Sequence, residues 1–299
     1  MNPLNILYRY FKRGITYVLH GIPNNVVTAR ISVLSQTELL KGRCALITGG
    51  TSGIGYSIAQ SYLKAGATVI ITGRNESKLK KTVESLQAEG MVFGFKMDNC
   101  DIKAFKSIFN EMLATVNKAG IKQIDILVNN AGVQGAELPN AIEDGYDSVL
   151  DTNLKAVFFL SQLFGNYMVK NKIKGNILNI ASSSSLRPAI TAYTISKWGI
   201  RGLTMGLARS LVSHGITVNG LAPGATATPM LNRKDGENLN YPYCLMGRYI
   251  LPEEIANMAV FLVSDMGRSI VGDIIYMTGG MGLISFEDMN YNVFKTNEN

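Results

Sequence analysis

Between the apolar stretch Cys44-Ala45-Leu46-Ile47 and a helical pattern that begins near Tyr56 lies the run Thr48-Gly49-Gly50-Thr51-Ser52-Gly53-Ile54-Gly55. A buried strand that ends in glycines and opens a helix brings several backbone N–H groups and the positive end of a helix dipole to one point. An anion such as a pyrophosphate binds at such a point. Gly49 permits the tight turn, Gly53 lets the backbone approach the phosphates, and Gly55 lets the helix pack close to the sheet. The spacing is G-x-x-x-G-x-G rather than the commoner G-x-G-x-x-G, so the general motif does not transfer unaltered.

From Gly42 onward, short β-branched runs alternate with amphipathic stretches. The expected strands are Cys44–Thr48, Thr68–Thr72, Met91–Lys96, Ile124–Asn129, Asn176–Ala181, Thr217–Leu221 and Ile274–Met277. Helical periodicity runs through Ser77–Glu89, Ile102–Lys118, Leu154–Lys170 and Thr194–Ser213. Continuous apolar strands alternating with helices predict a mostly parallel, seven-stranded α/β sheet covered on both faces. Right-handed crossovers then make it a doubly wound, Rossmann-type sheet with its ligand crevice at the carboxyl ends of the strands. No repeat or long linker interrupts this pattern, so one domain over 42–280 is expected, with extensions at 1–41 and 281–299.

Bulk properties exclude several other classes. With 46% hydrophobic and 17% charged residues, the 299-residue chain reads as a globular protein with a filled core. Cys44, Cys100 and Cys244 are far apart and suggest neither a disulfide framework nor a zinc site, so the cytoplasm is the expected compartment. His20 and His214 are the only histidines, which argues against a histidine-rich metal site and a Ser/His/Asp triad. Of the formal charge of +7, five come from before Cys44, where Arg9, Lys12, Arg13, Arg30, Lys41 and Arg43 face only Glu38. A basic leader on a nearly neutral body does not point to nucleic acid. In that leader Leu4, Leu7, Phe11, Ile15 and Val18 recur at helical spacing. Such a stripe suits peripheral contact with an anionic membrane surface, or packing on the body or on a second subunit. It is too short and too charged to span a bilayer, and no signal-peptide cleavage site follows it.

Three strand ends carry candidate ligand contacts. After the second strand, Gly73 occupies the place where an acid would grip the adenosine ribose, and Arg74 follows. A guanidinium binds a 2′-phosphate where a carboxylate would repel it, which favours NADP(H) over NAD(H). The third strand ends at Asp98-Asn99, where Asp98 can accept from an adenine amino group. The fourth ends at Asn130-Ala131-Gly132, small enough for the backbone to lie against a cofactor.

Tyr193 and Lys197 stand at i, i+4 and so share one helix face. A phenol titrates at about 10 and is a poor base at neutral pH, but a neighbouring ammonium and an oxidised nicotinamide both favour the phenolate. The preceding strand, Asn176–Ala181, ends in a serine cluster facing the same crevice.

Together, Thr48–Gly55, Asn129–Gly132, Ser182 with Tyr193 and Lys197, and Pro223-Gly224 followed by Thr228 resemble the short-chain dehydrogenase/reductase family. The resemblance covers about Gly42 to Gly280, including Pro252-Glu253-Glu254-Ile255 and Gly279-Gly280. It implies an oxidoreductase that moves hydride between NADP(H) and a ketone or secondary alcohol. Tyr193 would be the general acid or base. Lys197 would bind the nicotinamide ribose and lower the Tyr193 pKa, a serine would hold the substrate oxygen, and Asn153 would hold a water linking Lys197 to solvent. Gly49, Thr51, Ser52, Gly53, Ile54 and Gly55 would cradle the pyrophosphate, while Pro223, Gly224, Thr226 and Thr228 would wrap the nicotinamide end. The resemblance also implies a homodimer or homotetramer built on Leu154–Lys170 and Thr194–Ser213.

Two departures stand out. The family's serine commonly lies thirteen residues before the tyrosine, which here is Ile180; the strand end points to Ser182 instead, with Ser184 as the alternative. Trp198 replaces a usually small residue and is expected to alter packing between subunits. The insertion between Thr228 and Leu251 holds Asn232, Arg233, Lys234, Asp235, Glu237 and Asn238, then Tyr241 and Tyr243; it suits a hydroxylated or charged substrate, or is a polar surface loop. The competing function is a non-catalytic NADP-binding sensor or scaffold, which would normally have lost Tyr193 or Lys197.

Overall fold

A computed structural model describes residues 38–233 and 238–281. In chain order the main elements are β1 (Cys44–Ile47), α1 (Gly53–Lys64), β2 (Thr68–Gly73), α2 (Glu76–Leu86), β3 (Val92–Lys96), α3 (Phe105–Lys118) and β4 (Ile126–Asn129). There follow α4 (Glu143–Leu150), α5 (Ala156–Lys170), β5 (Asn176–Ile180), α6 (Ala192–Leu211), β6 (Thr217–Pro223), α7 (Pro252–Val263) and β7 (Ile274–Met277). The strands make one sheet in the order β3-β2-β1-β4-β5-β6-β7, every pairing parallel. The winding reverses between β1 and β4, and a crevice opens above the carboxyl ends at that reversal. The amphipathic leader lies outside the described residues, as do 282–299.

Burial on both faces explains the continuous apolar strands. Alternate residues of β1 point opposite ways. Ala45 and Ile47 join the layer of Ile58, Tyr62 and Ala259 from α1 and α7. Cys44 and Leu46 join the layer of Phe109, Met112, Phe164 and Met168 from α3 and α5. Each such aliphatic or aromatic side chain contributes roughly 1.5–3 kcal/mol on leaving water. Leu40 is fully buried against the first layer, and its N–H bonds Ala65 O at 2.8 Å, so the chain packs on the domain before β1 begins.

The amino ends of the strands carry a polar tie that periodicity does not reveal. Arg43 forms an ion pair with the buried Asp125, and its Nη2 donates to Asn176 Oδ1 at 2.6 Å. Asp125 also accepts from the Cys44 N–H at 2.9 Å, so one cluster joins the starts of β1, β4 and β5. Burial and the Asp125 charge push the Cys44 thiol up to about 12, which leaves it an inert core residue.

Element boundaries shift by up to three residues from expectation. Asp151–Lys155 is a π turn joining α4 to α5, so the helix expected from Leu154 begins at Ala156. The short helix α4 has one fully buried residue, Val149, and its periodicity is correspondingly faint.

Candidate active site

The glycine turn is braced from β4. Thr48 Oγ1 accepts from the N–H groups of Asn130 (3.0 Å) and Ala131 (3.1 Å). In return, Asn130 Nδ2 donates to Thr48 O (2.9 Å) and Gly49 O (3.1 Å). Gly49 has φ +65°, and a Cβ there would stand 2.9 Å from Ala131 Cα. Gly53 has φ +56° and faces Thr228 across the crevice, where a Cβ would meet the threonine methyl at 3.2 Å. A Cβ on Gly55 would stand 2.3 Å from Asn130 Nδ2, so this glycine serves packing. The N-cap of α1, Ser52, makes no side-chain cap bond, and the first turn holds no acid. Its first N–H groups therefore face the crevice with their dipole uncompensated.

That crevice measures ≈ 590 Å³, within the range that holds a small-molecule ligand. Every site residue assigned from sequence lines it except Gly55 and Asn153. At the β2–β3 end the lining comprises Thr72, Gly73, Arg74, Lys78, Asp98 and Asn99. Asn75 caps α2 by accepting from the Lys78 N–H at 2.8 Å, which fixes the backbone between Arg74 and Lys78. Asp98 Oδ1 accepts from Cys100 N at 3.0 Å, bracing the turn after β3. Thr72 Oγ1 is buried and, among the described residues, has no hydrogen-bond partner. The glycine cradle, the uncompensated helix end and this pair of cations fit a phosphorylated dinucleotide.

At the β5 end stand Ser182, Tyr193 and Lys197. Helix α6 is seated by a buried chain of amides and hydroxyls. Asn129 Nδ2 donates to Asn179 Oδ1 (2.8 Å), and Asn179 Nδ2 donates to Thr204 Oγ1 (2.9 Å). The α6 N-cap, Thr191, accepts from the Thr194 N–H at 2.9 Å, directly beside Tyr193. Lys197 Nζ donates to Ile180 O at 2.7 Å and lies 5.5 Å from the centre of the Tyr193 ring. Burial raises the Tyr193 pKa, and the Ser182 hydroxyl beside it pulls it down by less. Burial alone lowers Lys197 to about 8. Within the protein alone, desolvation drives both groups toward their neutral forms.

The serines separate by their bonds. Ser182 Oγ accepts from the Ser184 N–H at 3.1 Å and acts on Tyr193. Ser185 is fully buried, donates to Ser182 O at 2.8 Å and bonds Tyr276 Oη at 3.1 Å, so its role is to hold the turn. Ile180 lies within β5 and offers only its carbonyl, to Lys197. Asn153 is a clasp: its Oδ1 accepts from Val133 N (2.8 Å), while Nδ2 donates to Val133 O (2.9 Å) and Ser196 Oγ (3.3 Å). Its side chain thereby joins the segment after β4 to α6, and both of its amide protons are engaged.

Residues near β6 close the remaining side. Pro223, Gly224, Thr226 and Thr228 line the crevice, and Gly224 lies so near β7 that a Cβ would meet Thr278 Cα at 2.9 Å. From the expected substrate segment the lining residues are Pro229, Met230, Leu231 and Tyr241, an apolar and aromatic wall. Arg233 of that segment donates to Tyr249 Oη at 3.2 Å and stacks on its ring; 234–237 lie outside the described residues. Trp198 bonds within its own chain, its Nε1 donating to Arg187 O at 2.9 Å. Lys78 and Arg187 line the crevice although the motifs do not mark them. Lys78 lies in the first turn of α2, three residues past its cap Asn75, and nothing local marks Arg187.

The family description "short chain dehydrogenase" matches residues 43–238. Gluconate 5-dehydrogenase of Gluconobacter oxydans is 34% identical over 81% of this chain and 95% of its own length. A 3-oxoacyl-(acyl-carrier-protein) reductase of Rickettsia felis is 36% identical over 82% of this chain and 99% of its own. A solved short chain dehydrogenase from Burkholderia cenocepacia, in complex with NADP, superposes with a TM-score of 0.73 at 31% identity, covering 82% of this chain and 100% of that one.

Proposed function

This chain belongs to the short-chain dehydrogenase family of oxidoreductases, and on that premise we propose an NADP(H)-dependent enzyme acting on a ketone or secondary alcohol. The observation that carries this reading is the meeting, in one crevice, of the Gly49–Ile54 turn with Ser182, Tyr193 and Lys197. When bound, the nicotinamide supplies hydride to the carbonyl carbon or accepts it from the alcohol carbon. Tyr193, a phenol whose pKa burial raises further, donates its proton to the carbonyl oxygen in reduction and recovers it in the reverse sense. Ser182 donates a hydrogen bond to that oxygen as negative charge develops. Lys197, drawn down to about 8, exchanges its proton near neutrality and is suited to binding the ribose hydroxyls and returning a proton to Tyr193.

Arg74 and Lys78 favour a 2′-phosphate, and Gly73 leaves the end of β2 without a carboxylate. A relative bound to NADP supports the same preference. The relatives' own names span a sugar acid and an acyl thioester, so no one substrate is inherited. A homodimer or homotetramer on α5 and α6 accords with the part-exposed Phe158, Phe159 and Met205 on those helices. Cytoplasmic location, and a leader that contacts a membrane surface or packs on the body or on a second subunit, stay part of this proposal. Among the described residues, no helix is long and apolar enough to cross a membrane.

A panel of ketones and polyols assayed with NADPH, NADH and their oxidised forms tests the reading. Turnover by the full chain is expected with the phosphorylated cofactor, and Tyr193→Phe is expected to abolish it while NADPH still binds. Turnover or cellular function untouched by Tyr193→Phe would favour the sensor or scaffold alternative.

A further inference from the structure

The two ends of the crevice differ in charge. Arg74, Lys78 and Asp98 lie at the β2–β3 end, and among the described residues Asp98 is the one carboxylate in the lining. At the reacting end the charged side chains among the described residues are Lys197, buried and bonded to Ile180 O, and Arg187. Arg187 is exposed, and among the described residues no carboxylate pairs with it. A loop arginine facing solvent would ordinarily be a mobile, screened charge. Its backbone here is held on both sides. The Arg187 N–H donates to Ser184 O at 3.1 Å, and its carbonyl receives the Trp198 indole N–H at 2.9 Å. Pro188 follows, which confines Arg187 to the extended conformation it adopts, φ −107° and ψ 153°. Trp198 is itself oriented by the Arg201 guanidinium, 5.5 Å from its ring.

Resting on the oxidoreductase reading, we infer that Arg187 is a specificity-determining residue. It binds a carboxylate or phosphate group carried by the ketone or alcohol substrate, and Trp198 is the positioning residue that holds it there. A guanidinium presents a planar fork that matches both anions. The apolar wall of Met230, Leu231 and Tyr241 on the same crevice lowers the local dielectric and strengthens that contact once substrate covers it. Holding the backbone in advance reduces the ordering cost of binding. The unusual tryptophan thus acquires a function: it holds the backbone of an exposed arginine in the crevice that Ser182 and Tyr193 also line.

The test compares matched pairs with NADPH: an oxo acid against its methyl ester, and a phosphorylated hydroxyketone against its unphosphorylated parent. The wild-type chain is expected to favour the anionic member of at least one pair by about tenfold or more in kcat/KM, mainly through KM, and less so at high salt. The pair that shows the preference identifies carboxylate or phosphate. Arg187→Gln should abolish the preference, Arg187→Lys should restore part of it, and Trp198→Phe, which lacks the indole donor, should reduce it. The Kd for NADPH should not move in Arg187→Gln, which separates this site from the cofactor's own phosphates. Equal losses on both members of each pair, or no preference in the wild-type chain, would overturn the inference and leave the oxidoreductase reading standing. If the wild-type chain reduced no ketone of either kind, the oxidoreductase reading would fail and this inference with it.

Discussion

The ammonium of Lys197 donates to the carbonyl oxygen of Ile180 at 2.7 Å, tying a buried charge in α6 to the end of β5. Among the described residues no carboxylate offsets this burial, which brings its pKa from 10.5 to about 8. Between pH 8 and 10.5 the unfolded chain therefore binds more protons at this residue than the folded one. The contribution of Lys197 to stability rises with pH across that window, and below it the full penalty persists. Lys197→Met is expected to gain on the wild type below pH 8 and to lose that advantage by about pH 10, a relative change of roughly 2–3 kcal/mol. Urea midpoints of both proteins at pH 7, 8, 9 and 10 measure it. Cys44 and Tyr193, whose pKa values are raised, act in the opposite sense at high pH in both proteins and cancel in the difference. A difference that stays flat with pH would contradict the argument.

Ser182 and Ser184 differ in what they touch, and their alanine variants should differ accordingly. Ser182 acts on Tyr193, whereas Ser184 meets Ser182 through its backbone N–H, which alanine retains. Ser182→Ala is expected to lower kcat by about 10²-fold, the scale of losing one donor to a developing oxyanion, with Ser184→Ala within a few-fold of wild type. Single-turnover rates with NADPH read the chemical step directly. The reverse ranking would move the substrate-holding role to Ser184.

Cofactor choice should follow Arg74. Removing it by Arg74→Ala is expected to lower kcat/KM for NADPH about 10- to 100-fold while NADH changes little; Lys78→Ala should do the same more weakly. Installing an acid is harder than the sequence suggests, because a Cβ at Gly73 would lie 2.8 Å from the Thr51 methyl. Gly73→Asp alone should weaken binding of both cofactors. Combined with Thr51→Ser, which deletes that methyl, it should shift preference toward NADH. Titration of each cofactor by fluorescence compares the variants.

Asn153 tests whether a site residue acts by holding the frame. Its amide satisfies both the N–H and the C=O of Val133 and reaches Ser196 Oγ. Asn153→Ala leaves buried polar groups unpaired and should cost about 2–4 kcal/mol in unfolding free energy. Asn153→Asp keeps the acceptor for Val133 N but not the donors, so an intermediate loss is expected. An Asn153→Ala chain with wild-type stability would remove the clasp from the account.

Much of the fold was readable because its signals are local. Ile274–Met277 is the expected strand without change, and the other six strands shift by no more than two residues at either end. The turn chemistry of Gly49 and Gly53 follows from glycine's freedom at positive φ, which any strand-to-helix turn of this kind requires. Less was readable where a residue's partner is remote in sequence. The Arg43–Asp125 tie joins positions 82 apart, and neither residue stands in a motif. Polar residues in the insertion suited a hydroxylated or charged substrate or a surface loop, but the pattern did not show that, among the described residues, Arg233 bonds Tyr249 while Pro229, Met230, Leu231 and Tyr241 line the crevice.

By itself the sequence determined the class of structure: a glycine turn after a buried strand, parallel strands alternating with helices, and a Tyr193–Lys197 pair on one helix face. Those properties depend on residue spacing within a single element, which covalent geometry sets. Tertiary structure decided which groups share a solvent environment. It took Tyr193 and Lys197 out of water and pushed both toward neutrality, singled out Ser182, made Asn153 a clasp, and brought Trp198 onto the backbone of Arg187. Desolvation and long-range hydrogen bonds arise only when distant segments meet, so no local pattern encodes them.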